Sequence, residues 1–448
     1  MKKIGFLPLY LELYDQCSPA DGIAARKFGK HVAAMLAGQG FDVVESTACR
    51  TENEFRNAVK LFETSNCQAI VTLHLAYSPS LEAAGALAAS ALPLIILDTT
   101  PDMSFSDPDR QVMANHGIHG VQDLGNLLCR YRKKFLIAAG ACDEKLFKRV
   151  STLINGAVMS HKMRNLRIGR VGGIFKGMGD FCFSSKALEI TEVPWYESLI
   201  VPSEKEIDRE IAADYSKYRI LNLPENVHRQ SVSDCLRIRR WVEAEKLDGF
   251  TICYGGMTRQ TGWKTVPFAE CSKSMARGLG YAGEGDTLTS GLLAALFAVY
   301  KECSFSEMFC PDWANDRIFV SHMGEINPEV TTDPLLTSIE YIFGDSGDPA
   351  VIYGCFKPGN ALWIDLAPQA DDRLKLIVAP VKMLEAPPGT RDIARNTGWF
   401  CPRQCTSAEL LENYTRHGGT HHSVLSYDAD VETLRSFAVF MNWDFAVI

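Results

Sequence analysis

The chain has 448 residues, of which 46% are hydrophobic and 22% are charged, and its formal net charge is −8. These proportions are typical of a globular protein and exclude a disordered chain, a collagen-like chain and a coiled coil. The mild acid excess also argues against general nucleic-acid binding, which requires a basic surface.

The cysteine pattern and the short apolar runs predict a cytoplasmic protein. The 14 cysteines are scattered without a C-x-x-C pair, which disfavours a zinc ribbon and is typical of thiols in a reducing compartment. The apolar run near the start is broken at Glu12 and Asp15, so we expect no signal peptide. We expect no membrane span either, because no window of about 18 uncharged apolar residues occurs.

The first third of the chain alternates short apolar runs with stretches of helical periodicity. The predicted strands are 3–9, 41–44, 67–73 and 92–97, and the predicted helices are 24–38, 54–64 and 81–92. Strands that alternate with helices indicate a parallel sheet with crossover helices. We therefore expect an open, Rossmann-like α/β domain over residues 1–165.

The same alternation resumes after residue 165. A strand is predicted at 166–172 and another at 248–254, with helices at 203–218, 232–245 and 288–300. This pattern predicts a second open α/β domain over residues 166–316.

The pattern changes after residue 316, where short strand-like runs are separated by turn residues such as Pro358-Gly359-Asn360. The runs are 318–320, 350–353, 361–364 and 374–378, followed by a helix at 430–442 and a last strand at 445–447. The fold class expected is therefore α/β, with two open α/β domains and a C-terminal β-rich, barrel-like domain over residues 317–448.

Four glycine-flanked segments carry the residues best suited to chemistry, because glycine lets the backbone approach a ligand closely. They are 115–120 with His116 and His119, 281–286 with Glu284, 321–327 with His322 and Glu325, and 417–422 with three histidines. A structural role also fits each one: hydrogen-bonded loop histidines, or a carboxylate that caps the following helix. Two glutamates and a histidine from separate loops would suit Mn²⁺ or Mg²⁺.

Taken in order, these segments resemble the L-arabinose isomerase and L-fucose isomerase superfamily, and L-arabinose isomerase more closely. Residues 282–286 are similar to the metal-ligand loop of that enzyme, 321–325 to its second ligand segment and 418–424 to its C-terminal histidine motif. Asn115 with His119 resembles its substrate histidine segment.

The resemblance implies an aldose–ketose isomerase that acts on a free pentose, hexose or deoxysugar through an enediol. It implies that Glu284, Glu325 and His422 hold Mn²⁺ or another divalent cation such as Mg²⁺ or Co²⁺. Glu284 and Glu325 would also be the catalytic pair, one removing a proton beside the carbonyl and the other assisting its return.

The resemblance also implies substrate contacts from Tyr10, Tyr77, His119 and Met178. Met178 lies in the segment 176–181, for which a packed turn is an equally good interpretation. We expect a homo-oligomer, a trimer or a hexamer, with the active site at the subunit interface and His119 reaching into a neighbour's site. The expected partner is a small sugar, with no nucleic acid and no membrane.

One departure from the family pattern keeps other functions open. The family has a further histidine ligand before a turn similar to Asp348-Pro349-Ala350, but this stretch contains Glu340 and Tyr341 and no histidine. Glu340 is therefore a possible replacement ligand. A metal-dependent glycosidase on the same fold, or a non-catalytic sugar-binding protein, are the alternatives.

Overall fold

The computed structural model of the protein describes residues 2–180, 188, 190–196, 201–386 and 396–448. The chain forms two compact units. The first comprises Met1–His161 and Glu432–Asn442, and the second comprises Lys162–Val431 and Trp443–Ile448.

The first unit is built on a parallel sheet of five described strands in the order β2-β1-β3-β4-β5. The strands are β1 (Lys3–Leu9), β2 (Asp42–Glu45), β3 (Ile70–His74), β4 (Leu94–Asp98) and β5 (Phe135–Ala139). The helices are α1 (Glu12–Cys17), α2 (Pro19–Gly38), α3 (Glu52–Thr64), α4 (Ser80–Ala89), α5 (Pro108–Asn115), α6 (Ile118–Arg130) and α7 (Glu144–Met163). Every residue of β3 is buried, as expected for a parallel strand covered on both faces.

Helix α3 shows how the sequence sets these elements. Thr51 and Glu54 form a reciprocal capping box at its N-terminus, which satisfies backbone donors that have no partner within the helix. Its buried face carries Phe55, Val59 and Phe62 at helical spacing, and these side chains join the core beneath the sheet.

The second unit begins with a parallel sheet of four described strands in the order β10-β9-β6-β7. The elements of this part are β6 (Arg167–Val171), β7 (Thr191–Pro194), α8 (Glu204–Lys217), β8 (Arg219–Leu221), α9 (Glu225–Ala244), β9 (Gly249–Ile252), α10 (Phe268–Ala276), β10 (Gly280–Gly283) and α11 (Thr287–Phe297). Strand β8 pairs with the larger sheet described next.

The rest of the second unit is a largely antiparallel sheet that closes on itself. Its elements are β11 (Cys303–Asp312), β12 (Arg317–His322), β13 (Thr331–Ser338), β14 (Ala350–Phe356), β15 (Gly359–Pro368), β16 (Leu374–Met383), β17 (Asn396–Pro402), α12 (Ser407–Arg416) and β18 (His422–Ser426). Pairing of β16 with β17 closes the barrel β16-β15-β18-β11-β12-β17. The chain then returns to the first unit as α13 (Val431–Met441) and ends in β19 (Asp444–Val447), which pairs with β16.

The predicted class of a mixed α/β protein with parallel sheets and a C-terminal barrel is confirmed. The description of both parallel sheets as Rossmann-like domains, and the boundaries at residues 165 and 316, stay predictions. Strands β5 and β11 and helix α7 are observed but were not predicted. None of the helices in the described ranges has the length and apolar character needed to cross a bilayer.

Candidate metal centre

Three neighbouring barrel strands bring one carboxylate and two imidazoles together. In the antiparallel pairing of β11 with β18, Glu307 lies opposite His422. On the other side of β11, Glu307 lies opposite Ser321 of β12, so that His322 is the next residue along. Directly opposed residues on paired strands are close enough for their side chains to interact.

The side-chain atoms of this group converge on one point. Glu307 Oε1 lies 3.3 Å from His422 Nε2 and 3.4 Å from His322 Nε2. The ring of Phe305 packs edge-on against both imidazoles, with centroid distances of 4.6 Å to His322 and 4.9 Å to His422. Phe305 is fully buried and closes the back of the group.

The turn between β10 and α11 supplies a second carboxylate. Glu284 has a φ of 62°, in the left-handed region that is uncommon for a residue with a Cβ, and Gly285 follows with a φ of 91°. The strained turn directs Glu284 Oε2 to 3.8 Å from His422 Nε2 and 3.7 Å from His421 Nε2. A Cβ on Gly283 would lie 2.9 Å from His322 Cε1, so that position needs glycine for the ring to approach.

The two barrel imidazoles are each held from behind by a carboxylate. His422 Nδ1 lies 2.9 Å from Asp286 Oδ2, and His322 Nδ1 lies 2.7 Å from Glu325 Oε2. Tyr281 donates to Glu325 Oε1 at 2.6 Å, which fixes that carboxylate. The backing carboxylates orient both rings with Nε2 toward the cluster, as they do for histidine ligands of metals.

Within the segment 281–286, the structural role of capping α11 belongs to Asp286. Its Oδ1 accepts hydrogen bonds from the backbone N–H groups of Leu288 and Thr289, both at 2.9 Å, and so caps α11. The helix cap predicted as an alternative role for the segment 281–286 is therefore Asp286, which leaves the carboxylate of Glu284 available for a ligand.

The charges of the cluster shift the pKa values of its members. Burial favours neutral groups, but Glu325 and Glu307 raise the pKa of His322 well above its usual value. Against the same effect of burial, Asp286 and Glu307 raise the pKa of His422. Burial raises the pKa of Glu307, yet His322 and His422 hold it well below its usual range.

A divalent cation fits this arrangement. Glu284 Oε2 is buried and has no hydrogen-bond partner among the described residues. Two sets of donor atoms lie close enough together to bind one ion, Glu284 with His421 and His422, and Glu307 with His322 and His422. Carboxylate oxygens with imidazole nitrogens form a donor set that suits such an ion, and no thiolate is present in either set.

His421 has a different environment from its neighbour. Asp180 accepts hydrogen bonds from its backbone N–H at 2.9 Å and pairs with its Nδ1. Burial lowers the pKa of His421, but Asp180 and Glu284 raise it to about 10, and the pKa of Asp180 falls to about 2. The Asp180–His421 pair thus places an imidazolium beside Glu284.

The structure brings some of the predicted ligands together and leaves others apart. Glu284 and His422 converge, whereas Glu325 binds the far nitrogen of His322 and is absent from both donor sets. Glu340 is exposed and also outside both sets.

The sequence analysis did not select Glu307 as a site residue, because it did not predict strand β11, which carries this glutamate. Apolar Cys303 and Phe305 alternate with polar Ser304 and Ser306 along β11, and Glu307 is in register with the two apolar residues. That period of two was the available signal for a strand, and it would have placed Glu307 on the inward side.

Three of the predicted substrate residues lie in the first unit. Tyr10 follows β1, Tyr77 follows β3, and His119 lies in the first turn of α6 rather than in a loop. Tyr14 lies next to this group. Its ring contacts Tyr10, and its hydroxyl lies 3.1 Å from Nε2 of His116. His116 in turn packs edge-on against His119, with ring centroids 5.6 Å apart.

Met178 lies in the second unit, two residues before Asp180 and half-buried. It therefore belongs to the loop that contacts His421. Phe181, the last residue of the segment singled out in the sequence, lies outside the described residues.

The fold combines parallel α/β sheets with a closed barrel, and the barrel carries a carboxylate–imidazole cluster that suits a divalent cation. Comparison with known proteins agrees with this class. Residues 302–444 match the family model of the L-arabinose isomerase C-terminal domain.

Full-length relatives extend the similarity beyond the barrel. The L-arabinose isomerase of Enterobacter sp. (strain 638) is 27% identical over 363 residues, which are 75% of this chain and 71% of the relative. Those of Salmonella arizonae and Klebsiella pneumoniae (strain 342) are each 25% identical over 359 residues, with the same coverage. The chain is therefore similar to L-arabinose isomerases over 75% of its length, which agrees with the resemblance found in the sequence.

Proposed function

We propose that the chain is a metal-dependent aldose–ketose isomerase that acts on a free pentose, hexose or deoxysugar through an enediol. The observation that carries this proposal is the convergence of Glu284, Glu307, His322 and His422 in a chain similar to L-arabinose isomerases. We assign these four residues as ligands of Mn²⁺, or of another divalent cation such as Mg²⁺ or Co²⁺.

The assignment differs from the sequence prediction at one glutamate. Glu325 is engaged by Tyr281 and His322, so its oxygens are directed away from the ion, whereas Glu307 Oε1 faces both Nε2 atoms. We therefore propose Glu307 in place of Glu325 as ligand and second catalytic carboxylate. Glu325 then acts by orienting His322.

The chemistry follows from the two inner carboxylates. A bound divalent cation supplies Lewis acidity toward the carbonyl and hydroxyl oxygens of a sugar. One carboxylate of the Glu284–Glu307 pair removes the proton from the carbon beside the carbonyl, and the other assists its return to the neighbouring carbon. His421 Nε2 lies 3.7 Å from Glu284 Oε2, so the imidazolium forms an ion pair with that carboxylate.

The glycosidase on the same fold is the second candidate function. It arises because the family histidine expected before Asp348 has no counterpart in that stretch of this chain. The test is to incubate the Mn²⁺-loaded protein with free aldoses and ketoses in D₂O and to follow isomer formation and deuterium uptake by mass spectrometry.

We expect deuterium at the carbon beside the carbonyl with the native chain and with Glu340→Gln, an exposed glutamate that serves as the matched control. Glu284→Gln should incorporate none while keeping its fold by circular dichroism. Hydrolysis of a nitrophenyl glycoside without any deuterium uptake would contradict isomerisation and support the glycosidase. Sugar binding with neither reaction would support the non-catalytic alternative.

We further propose a cytoplasmic homo-oligomer, a trimer or a hexamer, in which Tyr10, Tyr77 and His119 of one subunit complete a neighbour's site. The described cysteines are all free thiols, which suits a reducing compartment. Light scattering measures the assembly, and mixing His119→Ala with Glu284→Gln subunits tests the shared site. Activity that returns on mixing requires a site built from two subunits.

A further inference from the structure

A second cavity, distinct from the metal centre, lies at the carboxyl edge of the four-stranded parallel sheet. Its volume is about 660 Å³, which falls within the roughly 300–1,000 Å³ of small-molecule sites. Its walls come from Val171–Gly173 after β6, from Glu192 to Trp195 at β7, and from Gly256 to Trp263 after β9.

The position of this cavity in the sheet is one at which α/β proteins bind ligands. Within this sheet the chain passes from β6 to β7 on one side and from β9 to β10 on the other, so the connections diverge between β6 and β9. The crevice between the carboxyl ends of such strands is the usual ligand site of an open sheet.

Two indole rings form one wall. Trp195 and Trp263 lie with centroids 4.9 Å apart. The guanidinium of Arg237 lies 4.5 Å from the Trp263 centroid and 5.6 Å from that of Trp195, and Trp241 packs edge-on against Trp195. These contacts fix the rings before any ligand arrives, which lowers the entropic cost of binding.

Polar groups on the opposite side are balanced in charge and incompletely bonded. Arg170 pairs with Glu192 at 2.8 Å, so this wall carries no net charge. Arg170 Nε and Trp195 Nε1 are buried donors without a hydrogen-bond partner among the described residues. These two atoms are enclosed, but the exposed parts of the Arg170 and Glu192 side chains, 23% and 38% of their surfaces, are accessible to a ligand in the cavity.

Backbone separates the cavity from the metal centre. A Cβ on Gly285 would lie 2.4 Å from the carbonyl oxygen of Gly173, so the two turns are in close contact. None of the four proposed metal ligands is among the residues that line the cavity. The two spaces therefore hold different ligands.

We propose that this cavity is a second binding site, for a small uncharged polyhydroxylated ligand such as a free sugar or an alditol. Apolar C–H faces of such a molecule pack on the indole rings, and its hydroxyl groups form hydrogen bonds with the exposed parts of Arg170 and Glu192. The internal Arg170–Glu192 pair favours a neutral ligand over a phosphate, because the positive charge of the arginine is already matched.

The test is calorimetric titration of the full chain with L-arabinose, D-xylose, D-galactose and their alditols, with glycerol phosphate as the charged comparison. The titrations are done in excess chelator and repeated with the double variant Glu284→Gln and Glu307→Gln, so that binding at the metal centre does not contribute. Isomerase activity is not measured, so failure of the proposed function does not affect the result.

We expect saturable binding of at least one uncharged compound to the chelated chain and to the double variant. Affinity should fall about tenfold or more in Trp195→Ala and in Glu192→Ala, because a centrally placed contact is lost. It should be unchanged in Trp313→Ala, which removes a tryptophan that is exposed on the barrel.

Three results would overturn the proposal: no uncharged compound binds, binding is lost in the double variant but kept in Glu192→Ala, or glycerol phosphate binds more tightly than every neutral compound. Glu192 is partly exposed and its replacement leaves the packed rings in place. That variant therefore decides the question even if Trp195→Ala does not fold.

Discussion

The second unit contains two buried clusters of ionisable side chains, and the carboxylates of the two clusters differ in their hydrogen-bond partners. The first is the metal centre. The second, which we call the helix network, joins α8, α9 and α10 and consists of Glu210, Asp214, Arg239, Glu270 and Lys273.

In the helix network every carboxylate has a cation. Glu210 pairs with Arg239 at 2.7 Å and with Lys273 at 2.8 Å, Asp214 pairs with Lys273, and Glu270 pairs with Arg239 at 2.7 Å. In the metal centre, by contrast, Glu284 Oε2 has no hydrogen-bond partner within the described ranges. Burial and shifted pKa values occur in both clusters, so they do not by themselves mark a site. The oxygen of Glu284 that has no hydrogen-bond donor is what distinguishes the candidate metal centre from the helix network, whose ion pairs link three helices.

We expect the largest effect from removing the charge of an inner carboxylate of the candidate metal centre. Glu307→Gln keeps the side-chain volume and removes the charge between His322 and His422. Turnover should fall by about 10²–10⁴-fold, the usual contribution of a positioned acid or base. Steady-state isomerisation rates measure this, with Glu340→Gln as the exposed control.

The metal-free Glu307→Gln chain should unfold at a temperature close to that of the native chain. A large loss of stability, with turnover kept in the folded fraction, would contradict a ligand role for Glu307. That outcome would make the centre a structural cluster like the helix network.

Removing the central cation of the helix network should have the opposite effect. Lys273 is buried, and Lys273→Met removes the cation that pairs with both Glu210 and Asp214. We expect a loss of about 3–5 kcal/mol of unfolding free energy, as for other broken buried pairs, with unchanged turnover per folded molecule.

Urea unfolding followed by circular dichroism measures the effect of Lys273→Met. The control is Lys217→Met, which removes an exposed ion pair with Glu329 and should cost less than about 1 kcal/mol. Equal effects of the two variants would show that the helix network contributes no more than a surface pair.

The two clusters should also respond differently to pH. Burial lowers the pKa of His322 and of His422, but the neighbouring carboxylates raise both pKa values, which favours protonated rings in the metal-free protein. A cation binds neutral imidazole and must displace those protons, so Mn²⁺ affinity should rise with pH, by about tenfold per pH unit for each proton released. Titration calorimetry between about pH 6 and 8 measures this slope.

The helix network should not change over the same interval. Despite burial, its partners raise the pKa of Lys273 and hold that of Glu210 below its usual range. The stability from Lys273 is present below its unfolded pKa, and that from Glu210 is present above its unfolded pKa, so both persist at neutral pH. A Mn²⁺ affinity that does not vary with pH would contradict the proposed protonation of the histidines.

The smallest predicted effect concerns the residue that orients His421. Asp180→Asn removes the charge that pairs with Nδ1, so the pKa of His421 should fall from about 10 toward its ordinary value. We expect turnover to fall by about tenfold, since Glu284 loses a neighbouring positive charge but keeps its position. Nuclear magnetic resonance titration of the histidine signals measures the pKa, with Asp333→Asn as the exposed control. A pKa that does not move would exclude the pairing.

Much of the α/β part could be predicted because its signals are local. Each strand of a parallel sheet covered on both faces is a continuous apolar run, as in β3, and each helix shows its own periodicity, as in α3. Strand β11 was harder, because only Cys303 and Phe305 mark its buried face before the chain reaches Glu307.

The sequence by itself determined the alternation of strands and helices, the barrel-like end, and the glycine-flanked segments that carry Glu284 and His422. The tertiary contacts decided that Glu307 faces Nε2 of both imidazoles while Glu325 contacts Nδ1 of His322, and that Asp286 supports His422 while it caps α11. The physical reason is that strand and helix signals depend on neighbours along the chain. Ligand convergence depends instead on which residues the strand register places opposite each other, and a shift by one residue would turn Glu307 to the other face.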